Sequence, residues 1–345
     1  MILVTGSTGL VGSHLIYDLL LKGYKVKALV RKSSNKNKIL HTFKLYTPDA
    51  EALFSQITWC EGDVTDIISL DYALTDVDKV YHTAALVSFN PKDKKKIYSI
   101  NVEGTANVVN LCMERNISKL CFVSSIASLG ITEDGSPISE DTAWKPSKNM
   151  SAYSISKFKS EMEVWRGITE GLNAVIVNPS VILGPGSWET GSASVFSLID
   201  KGLAYFTLGT TGFVDVKDVA KTMILLMDSE ISSERFILSS ENMTYKAFFE
   251  MIANYLEVRP PHKELTPLMA GLAWRLEAIR SRLSFSNPKI TKNTIDIGFK
   301  KLNYSSEKAK NLLNIDFLPI EPVLNELSSI YKTHNSSSGK HRKME

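Results

Sequence analysis

The chain has 345 residues, of which 43% are hydrophobic and 22% charged, the proportions of an ordinary folded protein with a substantial core. Its 40 Lys and Arg against 37 Asp and Glu leave a net charge of +3, which gives no basic field for a nucleic-acid surface. Cys60, Cys112 and Cys121 are too few and too scattered for a disulfide framework or a zinc site, so no metal is expected and the thiols read as buried and free. No run approaches the roughly 18 apolar residues that a membrane span requires. The opening Met-Ile-Leu-Val-Thr-Gly shows no secretory signal, and a cytoplasmic location is the expectation.

In chain order, Ile2–Thr5 reads as a buried strand and Leu10–Leu21 as a helix with apolar Leu15, Ile16, Leu19 and Leu20 on one side. Lys25–Val30, Ile57–Cys60, Lys79–Thr83 and Leu120–Ser124 read as further strands, the last preceded by a helical stretch over Val102–Arg115. Strands alternating with helices imply parallel strands joined by crossovers. A sheet covered on both faces explains why the strands are unbroken apolar runs. Tyr153 to about Trp165 is helical. Beyond residue 180, Gly184-Pro185-Gly186 breaks the rhythm. Val219–Met227 and Thr244–Leu256 then read as helices and Arg235–Ser239 as a strand, while 264–330 looks mostly helical, punctuated by Pro261, Pro288 and Pro319. The expected division is a sheet-containing unit over 1–180, completed by parts of 213–240, and a smaller lobe over 181–330. A polar, frayed tail is expected over 333–345.

Between the first strand and the first helix lies Thr5-Gly6-Ser7-Thr8-Gly9-Leu10-Val11-Gly12. Glycines three apart allow a tight turn and close approach of backbone to a pyrophosphate, and the helix aims its N-terminal N–H groups at that anion. A merely structural turn is the bland alternative, and the position of the motif argues against it. The second strand ends in Val30-Arg31-Lys32, where a dinucleotide site for NAD would place a carboxylate on the ribose. Two cations there favour a 2′-phosphate and hence NADP(H), with NAD(H) as the alternative.

Tyr153 and Lys157 are four apart and share a helix face. A free phenol titrates near 10, and a fixed ammonium beside it favours the phenolate and moves it toward a working range. Ser124-Ser125 ends an apolar strand at the carboxyl edge of the sheet, where one hydroxyl can hold a substrate oxygen and the other can cap the next turn.

These parts together resemble the extended short-chain dehydrogenase/reductase superfamily. Thr5–Gly12 matches its TGxxGxxG loop and Tyr153–Lys157 its YxxxK. The likeness continues through Gly62-Asp63-Val64, His82-Thr83-Ala84-Ala85, Asn101-Val102-Glu103-Gly104-Thr105, Asn178-Pro179-Ser180 and Val214–Ala220. It implies a Rossmann-type α/β fold, a doubly wound parallel sheet with a smaller, mainly helical C-terminal substrate lobe. It implies Ser125, Tyr153 and Lys157 as catalytic residues. It further implies that Asp63, Val64, Thr83, Ala84, Ala85, Asn101, Pro179 and Val181 join the glycine loop, Arg31, Lys32, Tyr153 and Lys157 around the cofactor.

Epimerases and dehydratases of that superfamily usually carry an acid at the second-strand end and an Arg before the late Phe-Val segment. Val30-Arg31 and Thr210-Thr211-Gly212 depart from both habits and point to the dihydroflavonol-reductase-like and 3β-hydroxysteroid-dehydrogenase-like branch. The implied reaction is reduction of an aldehyde or ketone, or oxidation of the alcohol. A nucleotide-sugar epimerase or dehydratase is the alternative, and a non-catalytic dinucleotide sensor is disfavoured by the retained Tyr–Lys pair. The resemblance leaves oligomeric state open, a homodimer through two long helices being common there.

Of the remaining features, His14 reads as packing and His82 as support for the cofactor wall. Lys92, Lys94, Lys95 and Lys96 read as a solvated face. Leu268–Leu283 reads as a lid or dimer helix, with contact to a membrane surface as the minority reading.

Overall fold

The structure, a computed structural model, describes residues 1–147, 150–283 and 292–337. The strands in chain order are β1 (Ile2–Thr5), β2 (Val26–Val30), β3 (Thr58–Glu61), β4 (Lys79–His82), β5 (Lys119–Val123), β6 (Ala174–Pro179), β7 (Val181–Leu183), β8 (Tyr205–Phe206), β9 (Thr210–Asp215), β10 (Glu234–Leu238), β11 (Glu241–Thr244) and β12 (Lys263–Glu264). Seven of them form one sheet in the order β10-β6-β5-β4-β1-β2-β3, with every pairing parallel. Each crossover carries a helix, as parallel neighbours require.

Alternate residues of each strand serve opposite faces. Ile2 and Val4 pack with Leu15, Ile16 and Leu19 of the Leu10–Leu21 helix and with Met223 of the Val216–Asp228 helix. Leu3 packs the other way, with Val80, Val108, Leu120, Phe122 and Val164. All four residues of β1 and all six of β6 are buried. Each fully buried Leu or Ile contributes about 1.5–3 kcal/mol, which is why these strands tolerate no polar alternation. The three cysteines are buried and free.

The chain leaves β1 for β2 and β3 on one side and returns to β4 on the other. The strand order thus reverses between β1 and β4, and a crevice opens at their carboxyl ends. In open α/β sheets this is where ligands bind.

The C-terminal lobe is helical with two small sheets, β11-β9-β7 and β12-β8. Its core joins Trp188, Phe196, Phe248, Leu324 and Tyr331, with Phe213 stacked on Phe248 at 4.2 Å between ring centres. Of the 213–240 region expected to complete the main sheet, β10 does so, whereas β9 pairs with β7 and β11. The helix expected from Val102 begins instead as a π-turn over Ser99–Glu103 and becomes regular at Gly104–Glu114. Part of the stretch expected to be a polar tail is helical. Ile320–Ser337 is one helix, because Leu324, Leu327 and Tyr331 anchor it in the lobe core. Residues 338–345 and Pro288 lie outside the described residues. Among the described residues, no helix is long and apolar enough to cross a membrane.

Candidate active site

At the end of β1 the chain turns through Gly6 at φ +67°, a conformation that side chains rarely adopt. A Cβ on Gly6 would also lie 2.6 Å from the Ala84 backbone nitrogen, and one on Gly12 would lie 2.4 Å from the Gly6 carbonyl oxygen. Gly6 therefore permits the turn, and Gly12 lets the first helix press against it. Gly9, the residue before that helix, has extended backbone and no side-chain cap, so the helix N-terminus is open to the crevice. A Cβ there would meet only the Gly6 carbonyl, at 3.1 Å. This bare cradle with its uncapped helix end fits a dinucleotide pyrophosphate.

The cavity beside it, of about 270 Å³, is walled by Gly6, Ser7, Thr8, Gly9, Arg31, Asp63, Val64, Thr83, Ala84 and Ala85. The glycine loop, the second-strand end and the Asp-Val and Thr-Ala-Ala segments thus meet as the sequence suggests. Ser7 contributes backbone only, since its hydroxyl donates to Val4 O at 2.6 Å and Leu29 O at 3.1 Å. Leu29, Ser34, Gly62, Leu86, Lys96 and Ile100 complete the wall, and sequence reading did not assign them there. Lys96 and Ile100 stand one helical turn apart, and Lys96 reaches this wall while staying exposed like Lys92, Lys94 and Lys95.

Other expected cofactor residues, Gly12, Tyr153 and Lys157 among them, lie off this wall. Lys32 is exposed, Val11 packs against the core, Leu10 lies against Gly184, and Val181 packs in the lobe core. Pro179 is buried at the end of β6. Asn101, in the π-turn, spends its amide on the polypeptide. Its Oδ1 accepts from Leu86 N at 2.7 Å, while Nδ2 donates to Leu86 O at 3.1 Å and to Ser156 Oγ at 2.9 Å. It pins the segment after β4 to the helix Ala152–Thr169. His82 is equally structural. Its ring bridges Thr5 Oγ1 at 2.7 Å and Thr105 Oγ1 at 3.0 Å, and burial, aided by Lys157, pushes it down to about 3.

The Ala152–Thr169 helix starts at Ser151, whose hydroxyl accepts from Ser154 N at 2.9 Å. The Ser154 hydroxyl donates to Ala127 O at 2.5 Å, tying the first turn to the segment after β5. Tyr153 and Ser125 are thereby brought near each other, and the serine hydroxyl favours the phenolate. Phe89 stands edge-on to the Tyr153 ring at 6.0 Å. Ser125 is also the cap of the following 3-10 turn, accepting from Ala127 N at 3.1 Å.

The two serines divide their work differently from the sequence expectation, because Ser125 both caps the turn and meets Tyr153. Ser124 points into a buried polar cluster. There the Glu161 carboxylate accepts from Ser124 Oγ at 2.6 Å, Ser128 Oγ at 2.7 Å, Asn178 Nδ2 at 2.8 Å and Arg235 Nη1 at 2.8 Å. That cluster props the turn carrying Ser125, and Asn178 also donates to Ser125 O at 3.3 Å.

Lys157 is buried, with Nζ donating to Val123 O at 2.7 Å and lying 4.5 Å from the Phe122 ring centre. Burial brings it down to about 7, with Glu161 opposing. The Tyr153 phenol moves the other way from the sequence expectation. Burial raises it above its ordinary value and the nearby Ser125 hydroxyl only partly offsets that. The same dry surroundings that discharge the amine also disfavour the phenolate.

The family model for the NAD dependent epimerase/dehydratase family matches residues 2–238. Cinnamoyl-CoA reductase 1 of Petunia hybrida is 30% identical over 273 residues, 75% of this chain and 78% of that protein. Dihydroflavonol 4-reductase of Arabidopsis thaliana is 27% identical over 353 residues, 97% of this chain and 87% of that one. The crystal structure of gox2253 superposes with a TM-score of 0.80 at 27% identity, covering 97% of this chain and 98% of the other. The chain belongs to the NAD dependent epimerase/dehydratase family, among the extended short-chain dehydrogenases/reductases, on their dihydroflavonol-reductase-like branch.

Proposed function

We propose that the chain is an NADP(H)-dependent reductase of an aldehyde or ketone, with Tyr153 as proton donor and Ser125 as its partner on the substrate oxygen. The observation that carries this reading is the approach of Ser125 to Tyr153, whose phenol holds its proton at neutral pH. Bound in the glycine-lined groove, the nicotinamide cofactor supplies the hydride.

The protein supplies placement and charge. A carbonyl oxygen set against Ser125 and Tyr153 accepts from both hydroxyls, and both bonds strengthen as negative charge grows on that oxygen. Tyr153 then releases its proton to it. A phenol at or above its ordinary value carries its proton at neutral pH, which is the form a donor needs. Lys157, one helical turn along, holds a proton with an affinity near neutrality and can resupply the phenol. The Glu161 cluster positions Ser125 without touching substrate.

Arg31 on the groove wall supports NADP(H) over NAD(H). A guanidinium matches a 2′-phosphate and can stack on adenine. The names of both relatives describe reductases, which supports reduction over epimerisation. Thr210-Thr211-Gly212 adds to this, since no arginine stands at the place that would grip a sugar nucleotide.

The test is to titrate NADPH and NADH, and then follow NADPH absorbance across a panel of aldehydes and ketones. Tighter NADPH binding and carbonyl-dependent consumption are expected. Protection against melting by UDP- or dTDP-sugars, with no consumption on any carbonyl, would overturn the proposal in favour of an epimerase or dehydratase.

A further inference from the structure

The helix Pro267–Leu283 turns an apolar edge to the outside. Leu268 is 88% exposed, Leu272 60%, Leu276 58% and Met269 42%. At about 100° per residue, these four side chains fall within an arc of about 100°. Arg275 and Arg280 each fall about 20° beyond it, one on either side. Ala270, on the opposite side, is buried.

Both arginines are held along the helix. Arg275 donates to Gly271 O at 2.9 Å and lies 5.1 Å from the Trp274 ring centre. Arg280 pairs bidentately with Glu277 at 2.7 Å. Long basic stems bordering an apolar stripe are the arrangement of helices that lie in a lipid interface.

The neighbouring strand pair extends the pattern. β12 leads directly into this helix and pairs with β8. Tyr205 of β8 is 40% exposed, with Lys263 Nζ 5.8 Å from its ring centre. An exposed aromatic beside a lysine suits the headgroup level of a bilayer. Residues 259–280 hold four cations, Arg259, Lys263, Arg275 and Arg280, against Glu264 and Glu277.

We propose that this face docks on an anionic lipid surface, with Leu268, Met269, Leu272 and Leu276 entering the apolar boundary and the arginines meeting headgroup phosphates. A second copy of the chain is the less suitable occupant. A two-fold contact would bring the basic borders of two copies around one apolar patch, whereas anionic headgroups neutralise them. The inference does not depend on the reductase reading.

The test is co-sedimentation of the full chain with phosphatidylcholine vesicles, with and without phosphatidylglycerol. Binding to the anionic vesicles alone is expected, weakening with salt. Leu268→Asp/Leu272→Asp should lower vesicle partitioning more than about tenfold while the melting temperature and NADPH binding stay unchanged. Leu268→Ser/Leu272→Ser serves should the aspartates impair folding. Arg275→Glu should weaken binding to anionic vesicles. No binding to anionic vesicles, or binding untouched by either Leu variant, would overturn the proposal. So would dimerisation of the wild type in light scattering that the Leu variants abolish, since a second copy would then cover the face.

Discussion

Replacing Lys157 by Met separates the cost of the buried amine from its use. The amine binds its proton less tightly folded than unfolded, falling from 10.5 to about 7. At about 1.36 kcal/mol per unit, the charged form is roughly 5 kcal/mol worse off in the folded chain. This destabilisation is fully present below about pH 7, shrinks as pH rises and vanishes near 10.5, where the amine is neutral in both states. By the same relation roughly 2 kcal/mol is left at pH 9. Methionine fills similar space without charge, but Val123 O loses its 2.7 Å donor, at a cost of about 1–3 kcal/mol. Lys157→Met should therefore be more stable than wild type by about 2–3 kcal/mol at pH 7, or about 5 °C in Tm. It should have no advantage at pH 9, and turnover should be lost. Thermal melts of the cofactor-free protein from pH 6 to 9 check this. A Lys157→Met protein that melts below wild type by the same margin at every pH would refute the reasoning.

Three further outcomes follow from the site. Gly6→Ala places a side chain at φ +67° and 2.6 Å from the Ala84 nitrogen; it should cost at least about 1–3 kcal/mol, seen in Tm, and abolish detectable NADPH binding by fluorescence titration. Arg31→Ala removes a guanidinium from the groove wall and should raise the NADPH Kd about 10–100-fold, the worth of a charge-assisted hydrogen bond, while leaving the NADH Kd nearly unchanged. On the acid side, burial lowers His14 to about 4 and His82 to about 3. Their stabilising neutral burial is complete above about pH 6.5 and is lost as pH falls below it, because only the unfolded chain then takes up protons. Tm should drop between pH 6.5 and 4, less steeply in His14→Gln.

Much of the cofactor groove was legible because glycine has a local reason to be there. The turn at Gly6 and the close contact at Gly12 are properties of a short stretch, and the strands around them are unbroken apolar runs. Tyr153 and Lys157 were legible for a similar reason, since helical spacing puts them on one face. The assignments that needed long-range information were the ones that changed. Ser124 and Ser125 are chemically identical neighbours. Only Glu161, 37 residues later, and Arg235, beyond it, draw the first inward and leave the second for Tyr153. Asn101 looked like a cofactor ligand, and its amide is instead taken up by Leu86 and Ser156.

The direction of the Tyr153 shift depends on burial, which no spacing reports and which outweighs the opposing Ser125 hydroxyl. β7, β8 and β12 are two or three residues long and carry no periodicity to read. The helix over Thr333–Ser337 continues from anchors that precede it, against its own polar composition.

The account rests on a protonated phenol, paired with Ser125, handing its proton to a substrate oxygen beside the nicotinamide groove. The most direct test is Tyr153→Phe, with NADPH affinity and NADPH consumption measured on the same preparation against a carbonyl that the wild type reduces. The expected result is an unchanged Kd for NADPH with consumption reduced by at least about a hundredfold, the usual worth of a positioned proton donor. Consumption equal to wild type, with NADPH bound normally, would contradict the claim.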